Sequence, residues 1–210
     1  MFVLVVQIRS QDAASTAAQH DRYAELAARF PGFRYKHVMR FEADPGRYID
    51  LMAWELQEHS ETFGVDPEYQ RQRPPSPAAD SAPAARAPDN PGYYSVVCER
   101  VAARGRILRQ EIAIVDAPPG GDRALSEAGR SLCAAAEGAP GVLSLCVLRN
   151  LGWPARHAIV AAYATAETSS LAEAAPTRAA WAQLVRCCAT PPVMETGGLV
   201  VQHDGAHGAH

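Results

Sequence analysis

Lysine is almost missing from this 210-residue chain: Lys36 stands alone, and the other 19 of its 20 basic side chains are arginines. No surplus of positive charge makes up for it, because 23 acidic residues leave a formal net charge of −3. A protein that grips nucleic acid through its phosphates needs a basic footprint, so no nucleic-acid partner is expected. Long apolar runs are lacking too. Phe2 to Val6 breaks at Gln7 and Arg9, far short of the roughly 20 residues of a membrane-crossing helix, and no membrane partner is expected. The chain opens on apolar residues with no basic stretch before them, which does not fit a secretory leader and sets a cytoplasmic expectation. A G-x-G-x-x-G after a strand, a P-loop and a nucleophile elbow are all absent, so phosphate cradling by a glycine-rich loop is not expected. The cysteines (Cys98, Cys133, Cys146, Cys187, Cys188) form no C-x-x-C. Adjacent Cys187 and Cys188 cannot easily close an unstrained bridge, so five free thiols in a reducing compartment are expected. His203, His207 and His210 cluster in a tail of Gly and Ala that offers no rigid scaffold; residues 203–210 read as a flexible tail, and no metal site is expected.

What is present is an apolar supply, 48% of the residues, and an internal repeat. At an offset of 109, Pro31-Gly32 returns as Pro140-Gly141, Val38 as Val147, Arg40 as Arg149, Pro45 as Pro154 and Arg47 as Arg156. Ala53, Glu58 and Ser60 return as Ala162, Glu167 and Ser169, and Trp54 falls on Tyr163. Two copies of one module are implied. In the first, the spacing predicts a strand over 2–9, a helix over 12–30 that stops at Pro31-Gly32, a hairpin over 33–41 and 47–55, a short helix over 57–63 and a strand over 93–101. In the second it predicts a strand over 107–115, a helix over 124–137, a hairpin over 142–150 and 156–165, a helix within 169–188 broken near Pro176, and a strand over 193–202. The order β-α-β-β-α-β, met twice, is the ferredoxin-like split βαβ pattern. The expected fold class is therefore α+β, with tandem ferredoxin-like repeats forming one intramolecular α/β barrel. Residues 1–103 would be the first repeat and 104–202 the second. Residues 74–91, with six prolines, read as an inserted linker or surface loop.

The stretch PGFRYKHVMRFEADPGRYIDLMAWE resembles the antibiotic biosynthesis monooxygenase family of dimeric α/β barrels. The Pro-Gly-aromatic helix exit, the arginine ending the second strand, the Asp-Pro-Gly-Arg-Tyr turn and Trp54 carry the likeness, and PGVLSLCVLRNLGWPARHAIVAAYATAE repeats it more weakly. The resemblance implies an oxygenase that tailors a polycyclic aromatic polyketide in antibiotic biosynthesis, by quinone formation or oxidative ring cleavage. The tandem arrangement is similar to the ring-cleaving oxygenases of jadomycin, gilvocarcin and kinamycin-type pathways. It implies O2 as substrate and no tightly bound cofactor, with reduced flavin, supplied by a flavin reductase, as co-substrate in ring-cleaving members. A homodimer of the pseudo-dimer is a further option. A non-catalytic ligand-binding or scaffold barrel is the alternative, and a haem-handling relative with His37 or His59 as axial ligand is another.

Candidate site residues follow from the strand alternation. Tyr48, Asp50, Met52 and Trp54 share one face of the hairpin's second strand. The cofactor-independent anthrone oxygenases have Asn and Trp at this spacing; here Asp50 replaces the Asn. A carboxylate beside Met52 and Trp54 would be desolvated toward general-base values, and the Trp54 indole N–H would donate to the developing oxyanion. His37, with Tyr35 and Met39 on one face of the preceding strand, is the alternative base. His59 is placed to overhang the pocket mouth, and His20 and Tyr23 to roof it. Each histidine has a plain alternative as a core or surface residue. In the second copy Asp50 becomes Ile159, Trp54 becomes Tyr163 and His37 becomes Cys146, so one working pocket is expected, in the first half, with Trp153 and His157 as the second half's polar and aromatic exceptions.

Overall fold

A computed structural model describes residues 1–72, 92–102 and 105–205. The 74–91 insertion, His207 and His210 therefore lie outside the described residues. The β-branched opening forms β1 (Phe2–Arg9), and the alanine-rich segment forms α1 (Ala13–Ala27). Asp12 caps α1 by accepting a hydrogen bond from the Ser15 backbone N–H at 2.9 Å, which satisfies one otherwise unpaired donor. The chain leaves the helix through Gly32, whose φ of 74° lies in the left-handed region. The hairpin β2 (Phe33–Phe41) and β3 (Arg47–Trp54) follows, then α2 (Gln57–Gly64), α3 (Pro67–Gln72) and β4 (Tyr93–Val101). The spacing did not predict α3, a single short helix whose start Asp66 caps by accepting from the Glu68 and Tyr69 N–H groups.

The second half runs β5 (Arg109–Asp116), α4 (Asp122–Ala135), β6 (Val142–Asn150), β7 (Arg156–Tyr163), α5 (Ala175–Arg186) and β8 (Glu195–Asp204). His203 and Asp204, expected in a flexible tail, instead end β8, paired with Lys36 and Tyr35 of β2. The helix predicted within 169–188 is shortened to α5, with Pro176 in its first turn, where its missing N–H leaves no bond unmade. β6 and β7 reproduce β2 and β3 at the offset of 109, residue for residue in their bounds. Gly141 repeats the positive φ of Gly32, at 76°. Both hairpins also carry a register shift at the same place, Phe33/Tyr35 and Val142/Ser144.

The eight strands close into an antiparallel barrel in the order β1-β3-β2-β8-β5-β7-β6-β4. β4 pairs with both β1 and β6, and β8 with both β5 and β2, so closure needs strands from both halves. Closure removes the exposed edges that either half's sheet would present alone. Apolar side chains from all eight strands fill the interior, among them Val5, Phe41, Leu51, Tyr94, Leu148 and Val160, with Ile112 from β5 and Leu199 from β8. The outer face of the second half's sheet packs against α4 and α5 through Leu132, Leu145, Ile159, Trp181 and Leu184. The first half's outer face meets α1, α2 and α3 less completely, and there a cavity remains. Among the described residues no helix is long and apolar enough to cross a membrane.

Candidate functional site

The period-2 alternation of β2 and β3 sorts their side chains into two environments. Odd-numbered Met39, Phe41, Ile49, Leu51 and Ala53 point into the barrel. Even-numbered Lys36, Asp50 and Met52 point outward, toward the helices, and with Leu4, Val6 and Ile8 of β1 they floor a cavity of about 1010 Å³. That is at the upper end of the ~300–1,000 Å³ range of small-molecule pockets. His20 and Tyr23 of α1, Phe63 of α2 and Tyr69 of α3 form the wall that faces this floor.

At the floor three charged or titratable groups stand in a row. The Lys36 ammonium donates to both Asp50 oxygens, at 2.6 and 2.5 Å, and is completely buried. On the other side, His20 Nδ1 lies 3.3 Å from Asp50 Oδ2. It is within ion-pair range but off a hydrogen-bonding line, so Nδ1 makes no hydrogen bond. The Tyr23 ring meets the imidazole edge-on, with centroids 5.5 Å apart. Burial alone would push the Asp50 carboxyl up, but the Lys36 charge, the contact with His20 and the hydrogen bonds from Lys36 together outweigh it and hold the group below its usual range. Burial pulls the Lys36 ammonium down, and Asp50 opposes that pull. Asp50 is therefore an ionised, locked carboxylate beside a histidine.

Part of the mouth comes from the other half. The loop after β6 brings Leu151, Gly152 and Trp153 to the cavity, with Asn150 and Arg156 at its ends. Asn150 Oδ1 accepts from the Gly152 and Trp153 N–H groups, at 2.9 and 2.8 Å, which fixes the loop. Arg156 lies over the Trp153 ring, 4.7 Å from its centroid, and is held by two 2.9 Å hydrogen bonds to Asp116. Trp153 is 47% exposed, so a large aromatic face is held still at the entrance.

The structure divides the residues singled out from the sequence. Asp50, Met52, His20 and Tyr23 come together on the cavity. Trp54 and Tyr48 share their face but do not line it. Trp54 is wholly buried between Phe33 and Phe63, its indole N–H unpartnered. Tyr48 is buried with Val38 and Val201. An indole sealed in that packing has no path to a substrate oxygen, which corrects the donor role expected for Trp54. His37, Tyr35 and Met39 belong to the opposite face of β2. His37 stacks on Tyr35, with centroids 4.5 Å apart, and its Nε2 lies 3.3 Å from Asp204. The sheet itself separates them from Asp50. His59 does not overhang the mouth: it packs on Gly32, where a Cβ would come 1.8 Å from its Nδ1. The sequence reading missed Lys36 as a partner of Asp50, although a lone lysine on a strand's mostly basic face was its visible sign. It also missed the wall from α2 and α3.

At the offset of 109, His20, Tyr23, Lys36 and Asp50 fall on Gly129, Leu132, Leu145 and Ile159. The last three are core residues under α4 and α5. Where the first half has a polar-floored cavity, the second has packed hydrocarbon. His157 is fully buried and shares a 2.8 Å hydrogen bond with Ser126. Among the described residues no three His, Cys, Asp or Glu side chains gather as a metal set.

No family model matches this chain, and no curated protein does. Solved structures do. A candidate monooxygenase from Fusobacterium nucleatum superposes with a TM-score of 0.75 at 10% identity, covering 97% of this chain and 94% of its own. One from Lactobacillus acidophilus gives 0.70 at 8% identity, covering 97% and 96%. An anthrone oxidase-like protein gives 0.57 at 13% identity, covering 98% and 94%. At these identities the likeness is one of fold: an α+β chain with one closed eight-stranded barrel, shared along its whole length with proteins named as monooxygenases.

Proposed function

We propose that this chain is an oxygenase that converts a polycyclic aromatic polyketide in antibiotic biosynthesis, using O2 directly, in a single pocket of its first half. The chain is, in this reading, two ferredoxin-like repeats, 1–103 and 104–202, fused into one barrel whose second half is structural. The observation that carries it is the row Lys36–Asp50–His20 beneath a cavity of about 1010 Å³ walled by Phe63, Tyr69 and Trp153. A flat, weakly acidic ligand suits such walls and such a floor.

The residues assign themselves roles by position. Lys36, buried in the floor, fixes the Asp50 carboxylate. Asp50, ionised beside Nδ1, favours the tautomer with its proton there and leaves Nε2 of His20 to accept one. His20 takes a proton from a phenol or a doubly activated ring CH2, and Asp50 stabilises the imidazolium that forms. The ring anion then passes an electron to O2, the pair combines as a ring peroxide anion, and the His20 imidazolium returns its proton to give the hydroperoxide. Loss of water leaves a C=O: the CH2 carbon gains one oxygen atom and the other leaves as water. Among the described residues, the two cations that line the site, Lys36 and Arg156, are already paired with Asp50 and Asp116, which leaves little there to hold a flavin phosphate. No step here is routed through flavin. His37 and His59, the axial-ligand candidates of a haem-handling protein, do not line the cavity.

Oxygen consumption with an anthrone, run with and without enzymatically reduced flavin, tests the reading. Uptake without flavin, lost in His20→Gln, is expected. Uptake that requires flavin would move the protein to the ring-cleaving class. Binding with no uptake in either case would leave a ligand-binding barrel and overturn the oxygenase.

A further inference from the structure

Two of the five free thiols meet where β4 packs against α4. Cys98 of β4 and Cys133 of α4 have their sulfurs 2.7 Å apart. That is inside van der Waals contact and short of a bond, so a disulfide needs only a small shift. A break in the strand pattern makes the meeting. β4 shifts register against β6 between Val96 and Cys98. Val96 packs in the barrel interior, whereas Val97 and Cys98 both pack on the helix side. Without the extra residue, Cys98 would alternate back to the interior face with Val96; the bulge turns it onto α4.

The fold does not require sulfur here. The offset of 109 takes Cys133 to Ala24. Cys98 pairs with Val147, and the equivalent Val38 pairs with Val201. The other half thus fills the same place with alanine and valine, both buried. Cys98 is also the accessible member, half-buried, while Cys133 is buried. The S–H of Cys133 pulls the Cys98 thiol down in pKa, and Cys98 in turn pushes Cys133 up. An accessible thiol with its pKa lowered and a resolving thiol in contact is the arrangement of peroxide-reactive pairs.

We propose that Cys98 and Cys133 are a peroxide-oxidisable pair that closes to a disulfide linking β4 to α4. The Cys98 thiolate attacks one oxygen of hydrogen peroxide; the S–O bond forms, the O–O bond breaks, and hydroxide leaves. The Cys133 sulfur then attacks the sulfenic sulfur. The S–S bond forms, the S–O bond breaks, and the Cys133 proton leaves with the second hydroxide as water. Two thiols lose two electrons and two protons, and one peroxide becomes two waters.

Titration of the whole chain with hydrogen peroxide, followed by thiol counting in denaturant and peptide mapping, tests this. The expected result is a fall from five thiols to about three, with a Cys98–Cys133 cross-link that dithiothreitol reverses. Cys98→Ser and Cys133→Ala should each abolish the cross-link, and the double variant Cys187→Ser/Cys188→Ser should keep it. Retention of all five thiols under peroxide that oxidises a free thiol peptide, or a cross-link between other cysteines, would overturn the proposal.

Discussion

Lys36 is the residue on which the site turns. Taking an ammonium and a carboxylate out of water is costly, and only their mutual contact keeps both charged. Lys36→Met leaves Asp50 buried without its partner and is expected to cost about 3–5 kcal/mol in denaturant unfolding. Lys36→Met/Asp50→Leu should recover most of that loss while removing turnover, because neither charge is then stranded. The pair also sets an acid limb. Asp50 is held below its usual value near 3.8 in the folded chain, so on acidification the unfolded chain takes up the proton first. Its contribution is whole above that value and is lost as pH falls through the lowered folded one. Stability measured against pH below 4 should drop less steeply in Asp50→Asn than in the parent chain.

The elements depend on where the backbone turns sharply between them. Gly32, at the exit from α1, has a φ of 74° and a histidine ring where a side chain would go. Gly120 has nearly the same φ, 75°, with nothing within 4 Å of its would-be Cβ. Gly120→Ala bears only the backbone strain, on the order of 1 kcal/mol. Gly32→Ala bears that and the displacement of His59, so it should cost clearly more, and Gly32→Ala/His59→Ala should return part of the difference in a thermal melt. This pairing shows what was legible. Pro31-Gly32 and Pro140-Gly141 announce helix exits in the sequence, and the hairpins after them stand where the repeat put them. Which face of β2 looks outward was not legible. A face carrying Tyr35, His37 and Met39 reads as a pocket, and one carrying Arg34, Lys36 and Arg40 reads as solvent. The reverse holds because closure puts the apolar face inside, and because a single lysine can be buried when Asp50 lies diagonally across the strand pair. Trp54 was legible as important and misread as polar: its ring is packing, and its N–H has no partner.

At the scale of the whole molecule, one half carries the cavity and the other supports it. β4 and β8 cross between the halves, so neither sheet closes alone. The loop between β6 and β7 forms part of the mouth, which is how a half without a polar floor contributes to the site. In the proposed reading Trp153 would touch the ligand away from the proton transfer, so Trp153→Ala should raise the KM for a flat polycyclic substrate about tenfold with kcat little changed. Trp153→Phe should restore most of it. Ile159→Val, at the position matching Asp50, should lower stability by roughly 1 kcal/mol and leave turnover alone.

The most direct measurement is the absorption spectrum of a coloured polycyclic phenol titrated with the protein, at a pH one to two units below the phenol's own pKa. A base positioned by a locked carboxylate should ionise the bound phenol. The parent chain is expected to produce the phenolate spectrum on binding, and His20→Gln to bind the dye in its neutral form. A dye that binds the parent chain and stays neutral, or a phenolate spectrum that survives His20→Gln, would contradict the assignment of His20, Asp50 and Lys36 to proton removal.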